Sequence, residues 1–265
     1  MLISVCTAGA GSVFVASGPV EKPRRLQANE AGVLVFSIND SPAGGKVTAT
    51  VRADNVDAGA QGAKEMAKRL EGKACWADDS CIVLELQGGL TTPNGLDRLD
   101  GFAKTLAKLA PKVQIIQRPT EWSADMAADA AQNVLTQNPN LAGIFLASEL
   151  MATAINALLN AAGKGAAVGE EGSVIRIAID GTPQGQQLIR DKALDATVSQ
   201  PLSAYATKTA ELIELVFNGG TIEIGPRDDG QVIETPVGPQ YQLNATLVTS
   251  ENADSPDLWA NQIGK

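Results

Sequence analysis

Two polar residues end the strands of a predicted strand-helix-strand unit in the second half of the chain. The apolar run 174–179 leads to Asp180, a Gly-Thr-Pro turn and a short helix follow, and a second strand ends on Gln200. In open α/β sheets, ligands collect beyond the carboxyl ends of parallel strands. We therefore predict that Asp180 and Gln200 hold a small polar molecule through hydrogen bonds.

The residue types that are missing exclude several kinds of catalysis. The sequence contains no histidine, so Ser-His-Asp and Cys-His nucleophile systems and His-rich zinc sites are excluded. Lys46 and Lys164 lack the glycine spacing and the following Ser or Thr of a phosphate-binding loop. A carboxylate-based hydrolase that uses Asp180 and Glu149 remains an alternative, although inward acids suit hydroxyl binding equally well. No cofactor and no metal is expected.

Composition and charge favour a globular protein that does not bind nucleic acid. The 265 residues allow one large or two modest domains, and 44% hydrophobic with 19% charged residues is ordinary globular usage. The formal charge of -9 comes from 21 basic residues scattered among 30 acidic ones, which argues against phosphate contacts. No stretch is long and apolar enough to span a membrane, and residues 1–18 are not expected to be a signal peptide.

Two of the three cysteines flank a short polar loop. Cys75 and Cys81 enclose the residues WADDS, just before the predicted strand CIVLELQ. They are close enough in sequence to form a disulfide if the loop folds back, which would suit an oxidising compartment. Two free thiols, one of them buried at the strand start, are the alternative.

Strands and helices alternate along most of the chain. A polar segment at 22–32 separates the predicted strands SVFVASGP and VLVFSIND, and regular strand-helix alternation follows from residue 47 to 220. Strands that are apolar on both faces, alternating with helices, predict an α/β fold with parallel sheets covered by helices on both sides. The less regular tail after residue 220 suits chain crossings between two lobes.

Several motifs in order resemble the ribose-type periplasmic sugar-binding proteins, which are the solute receptors of bacterial ABC importers. They are VRADN, ELQGG with the following DRLDGF, QNPNLAGIFLASELMATAINAL and IAIDGTPQGQQLIRDKALDATVSQ, and the match runs from about Ser12 to about Leu247. The resemblance implies a type I periplasmic binding fold with two α/β lobes hinged by crossing strands. It also implies a small sugar or polyol held between the lobes, a membrane permease as partner, and a periplasmic or cell-envelope location.

The resemblance assigns roles to four residues. Arg98 falls at an arginine that grips sugar hydroxyls, Asp180 at a carboxylate that accepts hydrogen bonds from hydroxyls, and Gln200 at a ligand-bonding glutamine. Trp122, in TEWSAD, falls at an aromatic residue that stacks on the sugar ring.

Three further positions are candidates at which the sequence departs from the family pattern. Asn39 and Asp40 stand where ribose-type proteins have Asp and then Arg, so a donor is replaced by an acceptor and ribose itself is in doubt. Ser148 replaces the usual Asn, which leaves the pocket roomier or filled by a larger ligand.

Each role has a structural alternative. Arg98 could pair with Asp97 or Asp100 on the surface. Asp180 could cap the helix after Pro183. Trp122 could be a core aromatic residue, and Gln200 only a strand end.

The resemblance also implies a domain division and an incomplete first lobe. Residues 1–53 and 201–231 are expected to form the N-terminal lobe, and residues 54–200 and 232–265 the C-terminal lobe. The family normally begins with two further strand-helix units, which this chain is expected to lack. Sugar binding without enzymatic activity is the leading hypothesis. The effector-sensing core of a lac-repressor-type regulator, and a truncated remnant that binds nothing, are the alternatives.

Overall fold

The protein is described by a computed structural model that covers residues 3–6, 12–16, 22–42 and 44–263, with side chains from residue 24 onward. It contains two compact units, the first made of residues 1–54 and 201–244 and the second of residues 55–200 and 245–265. In the described ranges, the strands and helices follow in the order β1 (Ile3–Cys6), β2 (Ser12–Ala16), α1 (Lys22–Glu30), β3 (Leu34–Ile38), β4 (Ala49–Ala53), α2 (Asn55–Leu70), α3 (Ala74–Ala77), β5 (Ile82–Gln87), α4 (Pro93–Leu109), β6 (Gln114–Pro119), α5 (Ala124–Gln137), β7 (Gly143–Leu146), α6 (Ala152–Ala161), β8 (Ile175–Asp180), α7 (Pro183–Arg190), β9 (Ala196–Ser199), α8 (Leu202–Phe217), β10 (Gly225–Arg227), β11 (Gly230–Ile233), β12 (Gln240–Leu243) and β13 (Thr246–Val248).

The first unit is built on a mixed sheet with the strand order β1-β2-β3-β4-β12-β11-β10. Strands β2, β3, β4 and β12 run parallel, whereas β1, β11 and β10 pair antiparallel with their neighbours. Helix α8 packs against this sheet, and its Tyr205 hydroxyl accepts a hydrogen bond of 2.9 Å from the Ala53 amide. Phe36, Val51 and Tyr241 are buried in the same core.

The second unit is built on a sheet with the strand order β13-β9-β8-β7-β5-β6, which is parallel except for β13. The apolar strand residues point alternately to two hydrophobic cores. One core includes residues of α2 and α4, with the rings of Phe102 and Phe145 stacked 3.9 Å apart. The other includes residues of α5, α6 and α7, such as Ile155 and Ile189. Because five strands run in parallel, their carboxyl ends lie at one edge of this sheet.

Three sequence-based expectations need correction. The polar segment at 22–32 contains helix α1, in which Pro23 stands in the first turn, where the missing amide hydrogen costs little. The sheets are not wholly parallel, because antiparallel strands complete their edges. Residues 232–244 belong to the first unit rather than the second, because β12 pairs with β4 over residues 240–243.

Cys75 and Cys81 are joined by a disulfide, with their Cα atoms 4.8 Å apart, so the alternative of two free thiols is wrong. In the part of the chain that the structure describes, no helix combines the length and the apolar character needed to cross a membrane.

Candidate functional site

Asp180 is the last residue of β8, and its backbone conformation is unusual. Its φ angle is 143°, and that of the next residue, Gly181, is 74°. Non-glycine residues rarely adopt positive φ, and where they do the surrounding structure must hold them there. A Cβ atom at Gly181 would lie only 2.2 Å from the Ser199 Oγ, so only glycine fits at that position. The turn after β8 is therefore built to present the Asp180 side chain in one orientation.

Three donors from separate segments converge on the Asp180 carboxylate. Its Oδ1 accepts hydrogen bonds from the Arg98 Nη1 at 3.1 Å and from the Gln200 Nε2 at 2.6 Å. Its Oδ2 accepts one from the Ser148 Oγ at 2.6 Å. The structure thus brings together four of the residues selected from the sequence, all within the second unit.

Arg98 is held in place by the protein through two of its three guanidinium nitrogens. The residue is 4% exposed, its Nε donates to the Asn55 Oδ1 at 2.7 Å, and its Nη1 also donates to the Ala147 carbonyl at 2.6 Å. Among the described residues, its Nη2 has no hydrogen-bond partner. Because the guanidinium fork is rigid, fixing two nitrogens fixes the third, which remains a donor beside the Asp180 carboxylate.

Trp122 lies beside this cluster and rests on a pair of glycines. Its φ is 64°, and its ring lies 5.6 Å from the Arg98 Cζ. A Cβ atom at Gly88 would come within 2.2 Å of the indole, and one at Gly89 within 2.7 Å. The ring is half-buried and packs against the core that contains α5 and α6, so Trp122 also has the packing role that was the alternative interpretation.

Glu149 directly follows Ser148 but is occupied by protein groups. The residue is only 7% exposed. Its Oε1 accepts hydrogen bonds from the Gly181 amide at 2.9 Å and from the Thr197 hydroxyl. Its Oε2 accepts hydrogen bonds from the amide of Thr182 at 2.8 Å and from the hydroxyl of the same residue. Burial raises the pKa of Glu149, while the hydrogen bonds from Thr182 and Thr197 oppose that rise. These contacts do not favour Glu149 as half of a catalytic carboxylate pair.

Asn39 and Asp40 lie at the end of β3 in the first unit. Asn39 has a φ of 70°, and its amide donates to the Val51 carbonyl at 2.8 Å. Its side-chain Oδ1 is buried and has no hydrogen-bond partner among the described residues, so it can accept a hydrogen bond. The Asp40 amide donates to the Ile38 carbonyl at 2.9 Å, and its carbonyl accepts from the Ser37 hydroxyl at 2.7 Å.

The other structural alternatives for these residues are wrong. The helix after Pro183 is capped by Thr182, whose Oγ1 accepts from the Gly185 amide at 3.0 Å, and not by Asp180. Arg98 is buried against Asp180, whereas Asp100 pairs with Lys104 on the surface. Gln200 is more than a strand end, because its side chain donates to Asp180.

Two supporting residues, Asn55 and Trp259, could not be identified from the sequence as parts of this cluster. Asn55, the first residue of α2, accepts a hydrogen bond from Arg98 and donates one to the Asn94 Oδ1 at 3.3 Å. The Trp259 Nε1, near the end of the chain, donates to the Asp180 carbonyl at 3.4 Å.

In the described part of the chain, no group of three or more His, Cys, Asp or Glu residues could hold a metal ion.

Known proteins match most of this chain. Residues 26–221 match the family model described as the periplasmic binding protein domain. A D-allose-binding periplasmic protein of Escherichia coli (strain K12) is 28% identical over 214 residues, which is 80% of this chain and 61% of the relative. A ribose import binding protein of Salmonella typhimurium is 27% identical over 197 residues, which is 74% of this chain and 61% of the relative. The chain thus spans less than two thirds of the length of these relatives.

Solved structures share the fold over nearly the whole chain. The crystal structure of a galactofuranose-binding protein matches with a TM-score of 0.72 at 20% identity, covering 95% of this chain and 78% of that chain. A periplasmic solute-binding protein of an ABC transporter from Actinobacillus succinogenes 130z, with bound D-allose, matches with a TM-score of 0.72 at 22% identity, covering 91% of this chain and 78% of that chain.

Proposed function

The chain belongs to the periplasmic binding protein domain family, and from this premise we propose that it binds a neutral sugar or polyol at the cluster around Asp180. The family confirms the resemblance and the α/β fold expected from the sequence. The observation that carries the proposal is the convergence of Arg98, Ser148 and Gln200 on one carboxylate at the carboxyl ends of parallel strands.

The cluster combines donors and acceptors in a way that suits hydroxyl groups. A hydroxyl group can accept a hydrogen bond from the Nη2 of Arg98 and donate its own hydrogen to the Asp180 carboxylate. Hydrogen bonds to charged groups are stronger than those between neutral groups, so each such hydroxyl is held firmly. The guanidinium and carboxylate charges compensate each other, which favours a neutral ligand over a charged one.

Trp122 supplies the apolar part of the proposed contact. Sugar rings carry apolar C–H faces that pack against aromatic rings. The indole is half-buried and lies beside Arg98, so a ligand that bonds to the guanidinium is within reach of the ring.

The departures at three positions favour a ligand other than ribose. Asn39 presents a buried acceptor where ribose-type proteins present an acid, and Asp40 replaces their arginine. Ser148 is shorter than asparagine and directs its hydroxyl to Asp180 rather than outward. D-Allose and galactofuranose, which the names of relatives mention, are therefore worth testing beside pentoses and inositols.

We further propose delivery of the bound sugar to the permease of an ABC importer in the periplasm or cell envelope. Support comes from the family and from relatives whose names describe import. Binding and release, without chemical change, is the proposed activity, because Glu149 is engaged by protein groups and Asp180 by three donors.

A thermal-unfolding screen against pentoses, hexoses, polyols and inositols tests the proposal. A ligand present at 100 times its Kd stabilises the native state by about 2.7 kcal/mol, which raises the Tm by several degrees. We expect one neutral sugar or polyol to raise the Tm of the wild type and of Asp129→Ala, an exposed control on α5, but not of Asp180→Ala. Equal shifts in all three proteins would remove Asp180 from the site.

A further inference from the structure

We infer that Glu149 is a positioning residue, which holds the Asp180 turn in its binding conformation without touching the ligand. This inference rests on the proposed function of the Asp180 cluster. Sequence reasoning named Glu149 as one acid of a carboxylate pair. Its contacts instead point to the backbone that carries Asp180.

The turn that Glu149 contacts needs external support. Asp180 and Gly181 are consecutive residues with φ angles of 143° and 74°. The backbone conformation of Gly181 is one that only glycine adopts here. That of Asp180 is unfavourable for a non-glycine residue, so it persists only where neighbouring groups fix it. The position of the Asp180 carboxylate depends directly on this backbone.

Glu149 binds the turn at three donors and the neighbouring strand at a fourth. The amides of Gly181 and Thr182 and the Thr182 hydroxyl donate to it, and these are the two residues that follow Asp180. The Thr197 hydroxyl on β9 donates to the same carboxylate. One side chain therefore ties the turn after β8 to the adjacent strand.

The Glu149 carboxylate packs closely against α7. A Cβ atom at Gly185, in the first turns of α7, would lie 2.1 Å from the Glu149 Cδ and 2.2 Å from its Oε1. On another side, the Trp259 indole donates to the Asp180 carbonyl. The turn is thus held at the carbonyl of Asp180 and at the next two amides.

Ser148 and Glu149 divide the support of Asp180 between them. Ser148 donates to the Asp180 side chain at 2.6 Å, and Glu149 accepts from the backbone beyond it. A single short segment after β7 therefore fixes both the carboxylate and the turn that carries it. Loss of the Glu149 charge should weaken ligand binding although the ligand never meets Glu149.

The test compares Glu149→Gln with Asp195→Asn in the full chain. Asp195 is a matched control, because it is also a buried carboxylate of the second unit. It accepts hydrogen bonds from the Arg176 backbone amide at 2.8 Å and from the Arg69 side chain at 3.0 Å. It precedes β9, so it lies away from the carboxyl ends of the strands. Affinity for the sugar found in the thermal screen is measured by calorimetric titration, together with the Tm of each protein.

We expect Glu149→Gln to lower the affinity about tenfold, the equivalent of one lost hydrogen bond to a charged group. Asp195→Asn should lower the Tm but keep the affinity within about twofold, since it changes no contact of Asp180. Equal affinity losses in the two variants would overturn the inference and reduce Glu149 to a general stabilising residue.

Two milder variants cover the case in which Glu149→Gln does not fold. Thr197→Val removes one donor to the carboxylate with little change of shape, and Gly185→Ala pushes a methyl group into it while favouring the helix. Both should weaken sugar binding several-fold, and unchanged affinity in both would overturn the inference.

Amide hydrogen exchange separates this inference from the proposed function. The amides of Gly181 and Thr182 should exchange faster in Glu149→Gln, or in Thr197→Val, than in the wild type and in Asp195→Asn. If the folded wild type binds no sugar, the proposed function fails, and unchanged exchange at both amides would separately contradict the positioning role.

Discussion

The Arg98 guanidinium donates to the Asp180 carboxylate at 3.1 Å, although 82 positions separate the two residues in the sequence. Helix α4 begins after β5 and supplies the arginine, whereas the aspartate ends β8. Their side chains meet because the carboxyl ends of parallel strands share one edge of the sheet. The pair is charge-compensated, and its remaining donor and acceptor capacity is what the proposed ligand would use.

Arg98→Lys should weaken sugar binding at least about tenfold and lower stability by roughly 1–3 kcal/mol. A lysine ammonium cannot reproduce the fork that reaches Asn55, Ala147 and Asp180, so buried acceptors lose their donor. The control is Arg118→Lys, an exposed arginine that bonds to the Gln117 carbonyl at 2.8 Å. Calorimetric titration and urea unfolding measure the two effects, and an Arg98→Lys protein that behaves like the control would contradict the role given to Arg98.

Glu85→Gln should stabilise the protein at pH 8 more than at pH 4. Glu85 is buried in β5, and burial raises its pKa from the usual 4.5 to about 7. The negative charge of Asp100 adds to this rise, whereas a hydrogen bond from the Gln117 side chain opposes it. The folded-state pKa exceeds the unfolded value, so the stability contributed by the protonated form is full below about pH 4.5 and is lost as pH rises through about 7. The loss is on the order of 3 kcal/mol.

Urea unfolding of wild type and Glu85→Gln between pH 4 and pH 8 measures this difference. The free energy of unfolding of the wild type should fall relative to that of the variant across this interval. Parallel pH profiles would mean that Glu85 titrates near its ordinary value.

The sequence predicted much of the second unit because its strands and helices alternate regularly. Asp180 and Gln200 were selected because each ends a strand of this regular pattern. Helix α1 was missed because Lys22, Pro23 and two arginines give no apolar stripe, although Arg25 is buried. The assignment of residues 232–244 was wrong because pairing of β12 with β4 is a long-range choice that local composition does not encode.

Reduction of the Cys75–Cys81 disulfide should lower the Tm by a few degrees. The bond closes a short loop with a sequence separation of 6, which corresponds to about 2 kcal/mol of stabilisation by chain entropy. The measurement is thermal unfolding with and without dithiothreitol, in a Cys6→Ser background that removes the third thiol. The double substitution of Cys75 and Cys81 by serine should melt at the lower temperature in both conditions, and a wild-type Tm insensitive to reductant would contradict the prediction.

Gly88→Ala should displace the Trp122 indole and weaken sugar binding several-fold. The new methyl group would stand within 2.2 Å of the ring, which must move away from its place beside Arg98. Gly72→Ala, whose added Cβ would meet its nearest neighbour at 3.6 Å, is the control. Tryptophan fluorescence and calorimetric titration report the two effects, and unchanged affinity would leave Trp122 with a packing role alone.

The supporting contacts of the candidate site were beyond sequence reasoning. Arg98 meets Asn55 across 43 positions, and the Trp259 indole reaches the Asp180 carbonyl across 79. Nothing in the pattern around Asn55 or Trp259 distinguishes these contacts from a helix cap or a tail residue. Glu149 is the same case, since only the folded structure brings its carboxylate to the amides of Gly181 and Thr182.

The most direct test of sugar binding is calorimetric titration of the folded wild type and of Asp180→Asn with the same sugar or polyol, beside Asp129→Asn as control. The account predicts saturable binding to the wild type and to the control, and a loss of about a hundredfold in affinity for Asp180→Asn. The amide carries no charge to compensate the buried Arg98 guanidinium, and it replaces one of the two acceptor oxygens of the carboxylate by a donor. Folded wild-type protein that releases no heat with any neutral sugar or polyol, or an Asp180→Asn variant with undiminished affinity, would contradict it.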